Sequence, residues 1–238
     1  MKQIILNHID VEIWNNLHVQ FQPHSDVNII MGSNGSGKTT FLRNLYLSLA
    51  EDKESKDHII YLPSIDNIAL RDKRKTSNAL SQELDYYIYD MKTGPSLMSL
   101  RMSMLDSSEE KRIEMKAKIA DFQKIINDFF AITGKRIEIE GSKFSVLTDT
   151  GVLPVEALSS GEKQILLILL RVFLLNGNEA IVMIDEPTYS LDIEWQFKLV
   201  TMLTHLNNKA QYFIASLSPA LFGKGWGDKV WYMDQITK

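Results

Sequence analysis

The 238-residue chain is 45% hydrophobic and 24% charged, with a net charge of −4. That is the composition of a globular protein long enough for one substantial domain, and its excess of acid argues against general affinity for nucleic acid or an acidic membrane. The absence of cysteine excludes disulfides, thiolate metal sites and cysteine nucleophiles, and fits a reducing, cytoplasmic setting.

The opening residues, MKQIILNHIDVEIW, alternate and carry charge where a signal peptide would have its apolar stretch. Residues 2–31 read as three strands, IILNHIDVEI, LHVQF and VNIIM, broken at Asn15-Asn16 and at Pro23. The run Gly32-Ser33-Asn34-Gly35-Ser36-Gly37-Lys38-Thr39 then fits the phosphate-binding pattern G-x-x-x-x-G-K-[ST], with Thr40 next in the helix expected over 38–50. The glycines let consecutive backbone N–H groups turn towards phosphate oxygens, and the helix points its positive end there. Lys38 is then expected on the β- and γ-phosphates and the Thr39 hydroxyl on Mg²⁺. A plain Gly/Ser-rich turn is the competing reading; the strand before and the helix after are the context the motif requires.

HIIYL (58–62) reads as a short buried strand. From Ser64 to about Thr133 the chain turns polar and helical, a stretch expected to form an inserted subdomain of a single 1–238 domain. Within it, residues 108–131 place Ile113, Ala117, Ala120, Ile126 and Phe130 at helical spacing, which predicts one amphipathic helix and too few heptads for a long coiled coil. Strands return after Gly134 as RIEIE and KFSVL.

LSSGEKQILLILL (158–170) opens a helix expected over 159–176. Ser159 or Ser160 can cap it and Glu162 complements its dipole, but Gly161 costs roughly 1 kcal/mol in a helix unless something approaches closely. Its apolar run, Ile165 to Leu170 and on through Val172 to Leu175, is far short of the roughly 18 residues of a membrane span, so no membrane insertion is expected. AIVMI (180–184) and QYFIAS (211–216) read as buried strands on either side of a helix near 192–206. Strand–helix alternation with unbroken apolar strands predicts an α/β fold with a mainly parallel sheet, N-terminal antiparallel strands and the helical insertion.

AIVMI ends in Asp185-Glu186, at the sheet edge where ligands bind in open α/β folds. Asp185 is expected in the Mg²⁺ shell and Glu186 beside an attacking water; a solvated turn is the alternative. The sequence Asn208-Lys209-Ala210-Gln211 lacks the aspartate of the guanine signature N-K-x-D.

Leu158-Ser159-Ser160-Gly161-Glu162 resembles the LSGGQ signature of ATP-binding-cassette (ABC) ATPases, and Ser190-Leu191-Asp192 resembles their D-loop. With GSNGSGKTTFLRNL and IDEP, the chain is similar to the soluble RecF-, SMC- and OLD-like ABC-type ATPases of the AAA family, rather than to membrane transporters. That resemblance implies a P-loop NTPase fold of ABC type. It implies ATP and Mg²⁺ held between two head-to-tail copies, with Ser159, Ser160, Gly161 and Asp192 closing over the other copy's ATP. Hydrolysis to ADP and phosphate would reopen them and drive a separate effector, in DNA processing or anti-phage defence.

Two positions depart from the family. Leu217 stands where a switch histidine is expected, and no clear Q-loop glutamine follows HIIYL: Ser64 occupies that place and Gln82 is a distant candidate. Two alternatives remain: a non-hydrolysing ATP-dependent clamp, motivated by Leu217, and a transporter's nucleotide-binding subunit, whose usual length is close to this but which neither the LSSGEK signature nor the unclear Q-loop favours. Trp14 is a candidate for stacking on adenine, although a core tryptophan is the stronger reading. Arg71 to Lys75 is a candidate contact for nucleic-acid phosphates, against the commoner solvated charge run.

Overall fold

The computed structural model describes residues 4–51, 58–74, 76–141 and 143–238, arranged as two compact units: residues 1–67 with 175–238, and residues 68–174. Lys75, the last residue of the basic run, lies outside the described residues.

The first unit begins with an antiparallel hairpin, β1 (Ile9–Trp14) and β2 (Leu17–Phe21). Asn15 and Asn16 join them at φ 47° and 64°, the pair of left-handed residues that a tight hairpin turn needs and that asparagine tolerates. The first strand is expected from residue 2; residues 2 and 3 lie outside the described residues, and from residue 4 onward the strand starts only at Ile9. The Gln211 side chain takes the backbone of Leu6 instead, accepting its N–H at 2.8 Å and donating to its carbonyl at 2.9 Å, so a ladder partner is not needed there. The fully buried β3 (Val27–Met31) leads into α1 (Lys38–Ala50), which turns Phe41, Leu42 and Leu45 inward, and β4 (Ile59–Leu62) follows.

The second unit holds α2 (Ala79–Tyr89), α3 (Leu97–Ser103) and α4 (Glu109–Phe130), capped at their starts by Asn78, Ser96 and Ser108. The helix expected at 108–131 is present, but its apolar face is shifted. Ile119, Phe122, Ile125, Ile126, Phe129 and Phe130 are buried, whereas Ile113, Ala117 and Ala120 are exposed. Residues 109–114 at the start of α4 are all exposed, so helical spacing there carries no burial. A three-stranded antiparallel sheet follows, β5 (Arg136–Glu140), β6 (Lys143–Thr148) and β7 (Gly151–Leu153), then α5 (Ser160–Phe173). Phe173 of α5 stacks on Phe122 of α4 with centroids 4.5 Å apart.

The chain then returns to the first unit as β8 (Ala180–Asp185), α6 (Ile193–Leu206), β9 (Ala210–Ser216), β10 (Val230–Tyr232) and a last turn, α7 (Met233–Ile236). The sheet order is β10-β3-β9-β8-β4, parallel throughout. One face packs Ile30, Ile181, Met183 and Phe213 against Phe41 and Leu42 of α1 and against the hairpin. This core sets the carboxyl ends of β3 and β8 side by side with β9 between them. No described helix is long and apolar enough to cross a membrane.

Candidate functional site

β3 ends at Met31, and the chain turns through Gly32 to Gly37 before α1 begins. Gly37 caps α1 at φ 94°, a left-handed conformation natural to glycine, and a Cβ there would lie 2.9 Å from the Trp14 ring. No side chain caps α1, and its first turn carries no acid. Its free N–H groups and positive end therefore face the loop uncompensated, as an anion site requires. A recess of about 250 Å³ opens there, lined by Trp14, Asn34 through Thr40, and Glu186.

Lys38, 6% exposed, donates to the carbonyls of Gly32 at 2.8 Å and Ser33 at 3.2 Å, and lies 3.4 Å from Glu186 Oε1. Two loop carbonyls and the Glu186 carboxylate thus take the ammonium's three donors. The Thr39 hydroxyl lies 2.9 and 3.1 Å from the two oxygens of Asp185, which is 1% exposed at the end of β8. Burial pushes the Asp185 carboxyl above its ordinary range and the charge of Glu186 adds to this, against hydrogen bonds from Thr39 and the Ser64 N–H. Burial also pushes the nearby Tyr61 phenol up to about 12, with the Asp185 charge contributing. A hydroxyl and a carboxylate this close are hard oxygen donors suited to Mg²⁺, which takes few protein ligands and completes its shell with water and phosphate.

Glu186 adopts φ 45°, which costs a residue with a side chain about 1–2 kcal/mol. Its N–H donates to the Ala215 carbonyl at 2.9 Å, and its Oε2 accepts the Leu217 N–H at 3.1 Å. Leu217 therefore brings a backbone donor to the carboxylate from the position expected to lack a histidine.

The first unit thus brings together Ser33 to Thr40, Asp185 and Glu186. Asp192 caps α6, with its Oδ1 accepting the Glu194 N–H at 2.9 Å. The signature residues belong to the second unit. Ser159 caps α5 in a reciprocal box with Glu162, and both Ser159 and Ser160 are exposed. Burial alone would raise the Glu162 carboxyl, but donors from Lys135 (2.8 Å), Thr133 and the Ser159 N–H hold it below its usual range. Gly161 itself is buried.

One expectation is corrected, and two further candidates are placed. Trp14 is not a core residue: it is 41% exposed on the rim of the recess. Gln82 is no Q-loop glutamine, because its buried amide is spent on Asp72 and the Ser77 carbonyl. Arg71 forms an ion pair with Glu83 at 2.7 Å and lies over the Tyr86 ring, whereas Arg74 pairs with Asp72 but stays 91% exposed, as a solvated charge run does. Sequence reasoning also missed the Ser64 N–H on Asp185 and the polar chain around Gln196. Neither has a motif, since one is a backbone group and the other joins residues far apart in sequence.

A strand, a glycine-rich loop opening a helix, and a second strand ending in paired acids define a P-loop nucleotide-binding fold. The chain matches the RecF/RecN/SMC N terminal domain over residues 5–235, and it belongs to that family. It is similar to the DNA replication and repair protein RecF of Nitrosococcus oceani, 44% identical over 43 residues, which span 18% of this chain and 12% of that one. It is also similar to the achromobactin transport ATP-binding protein CbrD of Dickeya dadantii, 24% identical over 87% of this chain and 68% of that protein. Among solved structures, an SMC head bound to the C-terminal winged-helix domain of ScpA aligns with TM-score 0.54 at 13% identity, covering 91% of this chain and 90% of that one. A putative ABC transporter ATP-binding protein of Pyrococcus furiosus aligns with TM-score 0.55 at 18% identity, covering 98% of both. At such identities the likeness is one of fold, and the fold is that of SMC heads and ABC ATPases.

Proposed function

We propose that the protein binds ATP with Mg²⁺ in the Gly32–Thr40 recess and hydrolyses it, working as a head-to-tail pair that drives a separate partner protein. The observation that carries this reading is the cluster of Lys38, Thr39, Asp185 and Glu186 at one loop, with hydrogen bonds and an ion pair of 2.8 to 3.4 Å.

On nucleotide entry, Lys38 exchanges the Gly32 and Ser33 carbonyls for β- and γ-phosphate oxygens, and the N–H groups of residues 35–39 surround the phosphates. Thr39 and Asp185 would hold Mg²⁺, which would supply charge neutralisation for the phosphates. Glu186 accepts a proton from the water that attacks the γ-phosphorus, while the bond to the bridging oxygen breaks and ADP leaves. Trp14 lies at the rim where the adenine of a bound nucleotide can stack.

Ser159, Ser160, Gly161 and Asp192 close over ATP held by the other copy. The exposed Ser159 and Ser160 at an α-helix start support this role. A separate effector fits a family whose fold is seen in an SMC head solved with ScpA, and we propose DNA processing or anti-phage defence as the process served.

The test is Mg²⁺-dependent phosphate release by the purified protein. Turnover supports the reading; ATP binding and pairing without any phosphate release would make the protein a clamp. The CbrD likeness favours a second reading, the nucleotide-binding subunit of a transporter. Against it stands Ser64 in the Q-loop place. Co-purification with a membrane permease would establish that second reading.

A further inference from the structure

Beneath Glu186 lies a closed ring of polar groups that the proposed chemistry does not itself use. The buried hydroxyls of Thr188 and Ser216 are 2.8 Å apart, and Ser216 Oγ accepts the Ser218 N–H at 3.0 Å. The Ser218 hydroxyl donates to Gln196 Oε1 at 2.5 Å. Gln196 Nε2 in turn donates to the carbonyls of Leu191 at 2.8 Å and Thr188 at 3.4 Å. Leu217, whose N–H holds the Glu186 carboxylate, sits between the two serines.

One amide, fixed on the first turn of α6, therefore ties the loop that follows Glu186 to the turn that grips its side chain. Each half of the amide is needed: the oxygen accepts from the serine and the nitrogen donates to the carbonyls. A carboxylate can only accept, an alkyl chain does neither, and a hydroxyl has one proton for the two carbonyls. Glu186 also needs such support, since its backbone is held in a conformation it would not choose alone.

We infer that Gln196 is a positioning residue, which sets the place of the Glu186 carboxylate through Ser218 and the Leu217 N–H and couples it to the Thr188–Leu191 loop. The inference rests on Glu186 acting on water as proposed above. It adds that any partner or second copy pressing on the Thr188–Leu191 loop moves that carboxylate.

The test compares wild type, Gln196→Met, Ser218→Ala and the double variant. Gln196→Met keeps the length of the side chain and removes the bridging pair of hydrogen bonds. Because a misplacement of about 1 Å can cost roughly 10²-fold, kcat should fall about tenfold or more. The dissociation constant for ATP with Mg²⁺ should stay within about twofold, since Lys38 and the phosphate loop are untouched. Both substitutions break one link, so their effects on kcat should not multiply in the double variant. In the nucleotide-free protein, the amides of Leu217, Ser218 and Leu191 should exchange faster in Gln196→Met while those of β8 and β9 keep their protection. Unchanged kcat, multiplying effects, or unaltered exchange at Leu217 and Ser218 would overturn the inference. If the wild type shows no turnover, the proposed hydrolysis falls, and the exchange comparison alone upholds or overturns the tie.

Discussion

Replacing Glu186 by glutamine removes one charge from the recess and little else. The amide oxygen can still accept the Leu217 N–H, so the side chain stays in place, but the partner 3.4 Å from Lys38 is lost. Two effects follow. A base that accepted the water's proton is gone, which costs roughly 10²-fold or more in rate, or about 2.7 kcal/mol of barrier. The γ-phosphate also no longer meets a carboxylate, and Lys38 has one competitor fewer. Unit charges about 4 Å apart interact by at most about 4 kcal/mol at an effective dielectric of 20. Glu186 is 20% exposed and screened by water, so a gain of about 1 kcal/mol, or fivefold tighter ATP binding, is expected. Phosphate release at saturating ATP reads the first effect and isothermal titration the second. Glu186→Gln turnover within about threefold of wild type would refute the assignment, whatever happened to affinity.

Trp14→Ala should weaken ATP by about 1–2 kcal/mol, the worth of a stacked base, and leave inorganic triphosphate binding unchanged; equal losses for both would remove the stacking role. Ser160→Trp, at an exposed signature position, should leave ATP affinity intact yet block ATP-driven pairing in a Glu186→Gln background, read by light scattering. Persistence of the pair would remove the signature from the contact. This position tests the contact more cleanly than the buried Gly161, where a large side chain would disturb the fold itself. Glu162→Gln should lower stability by about 2 kcal/mol near neutral pH, because it removes a charged partner from Lys135. The Glu162 carboxyl is depressed in the folded protein, so its contribution is present above its ordinary value of 4.5 and is lost as pH falls below that. Melting curves of the two proteins should therefore converge in acid; a gap independent of pH would contradict the linkage.

Local chemistry was legible where a single stretch dictates its own structure. The glycines and the Lys38-Thr39 pair announce their loop, and α1 runs from Lys38 to Ala50 as the apolar spacing predicts. Unbroken apolar runs identified β3, β8 and β9 because strands buried on both faces have no polar alternation. What escaped depends on partners distant in sequence. Residues 4–8 look like a strand, but the backbone of Leu6 bonds to the side chain of Gln211, 205 residues away. The face of α4 was misplaced because spacing gives a period and only neighbours decide where along the helix burial begins. Strands of three residues, such as β7 and β10, are too short to show a period at all. Trp14 was read as core because its neighbour across space, Gly37, belongs to another element.

The central claim is that the Gly32–Thr40 recess is an ATP site, and calorimetric titration of ATP with Mg²⁺ into wild type and Lys38→Ala tests it most directly. Circular dichroism first establishes that the variant, altered at a buried lysine, is folded. The account predicts saturable, Mg²⁺-dependent binding by the wild type and loss of that binding in Lys38→Ala, since no other cation contributes to the described lining of the recess. Equal affinity in the two proteins, or no binding by the wild type, would contradict it.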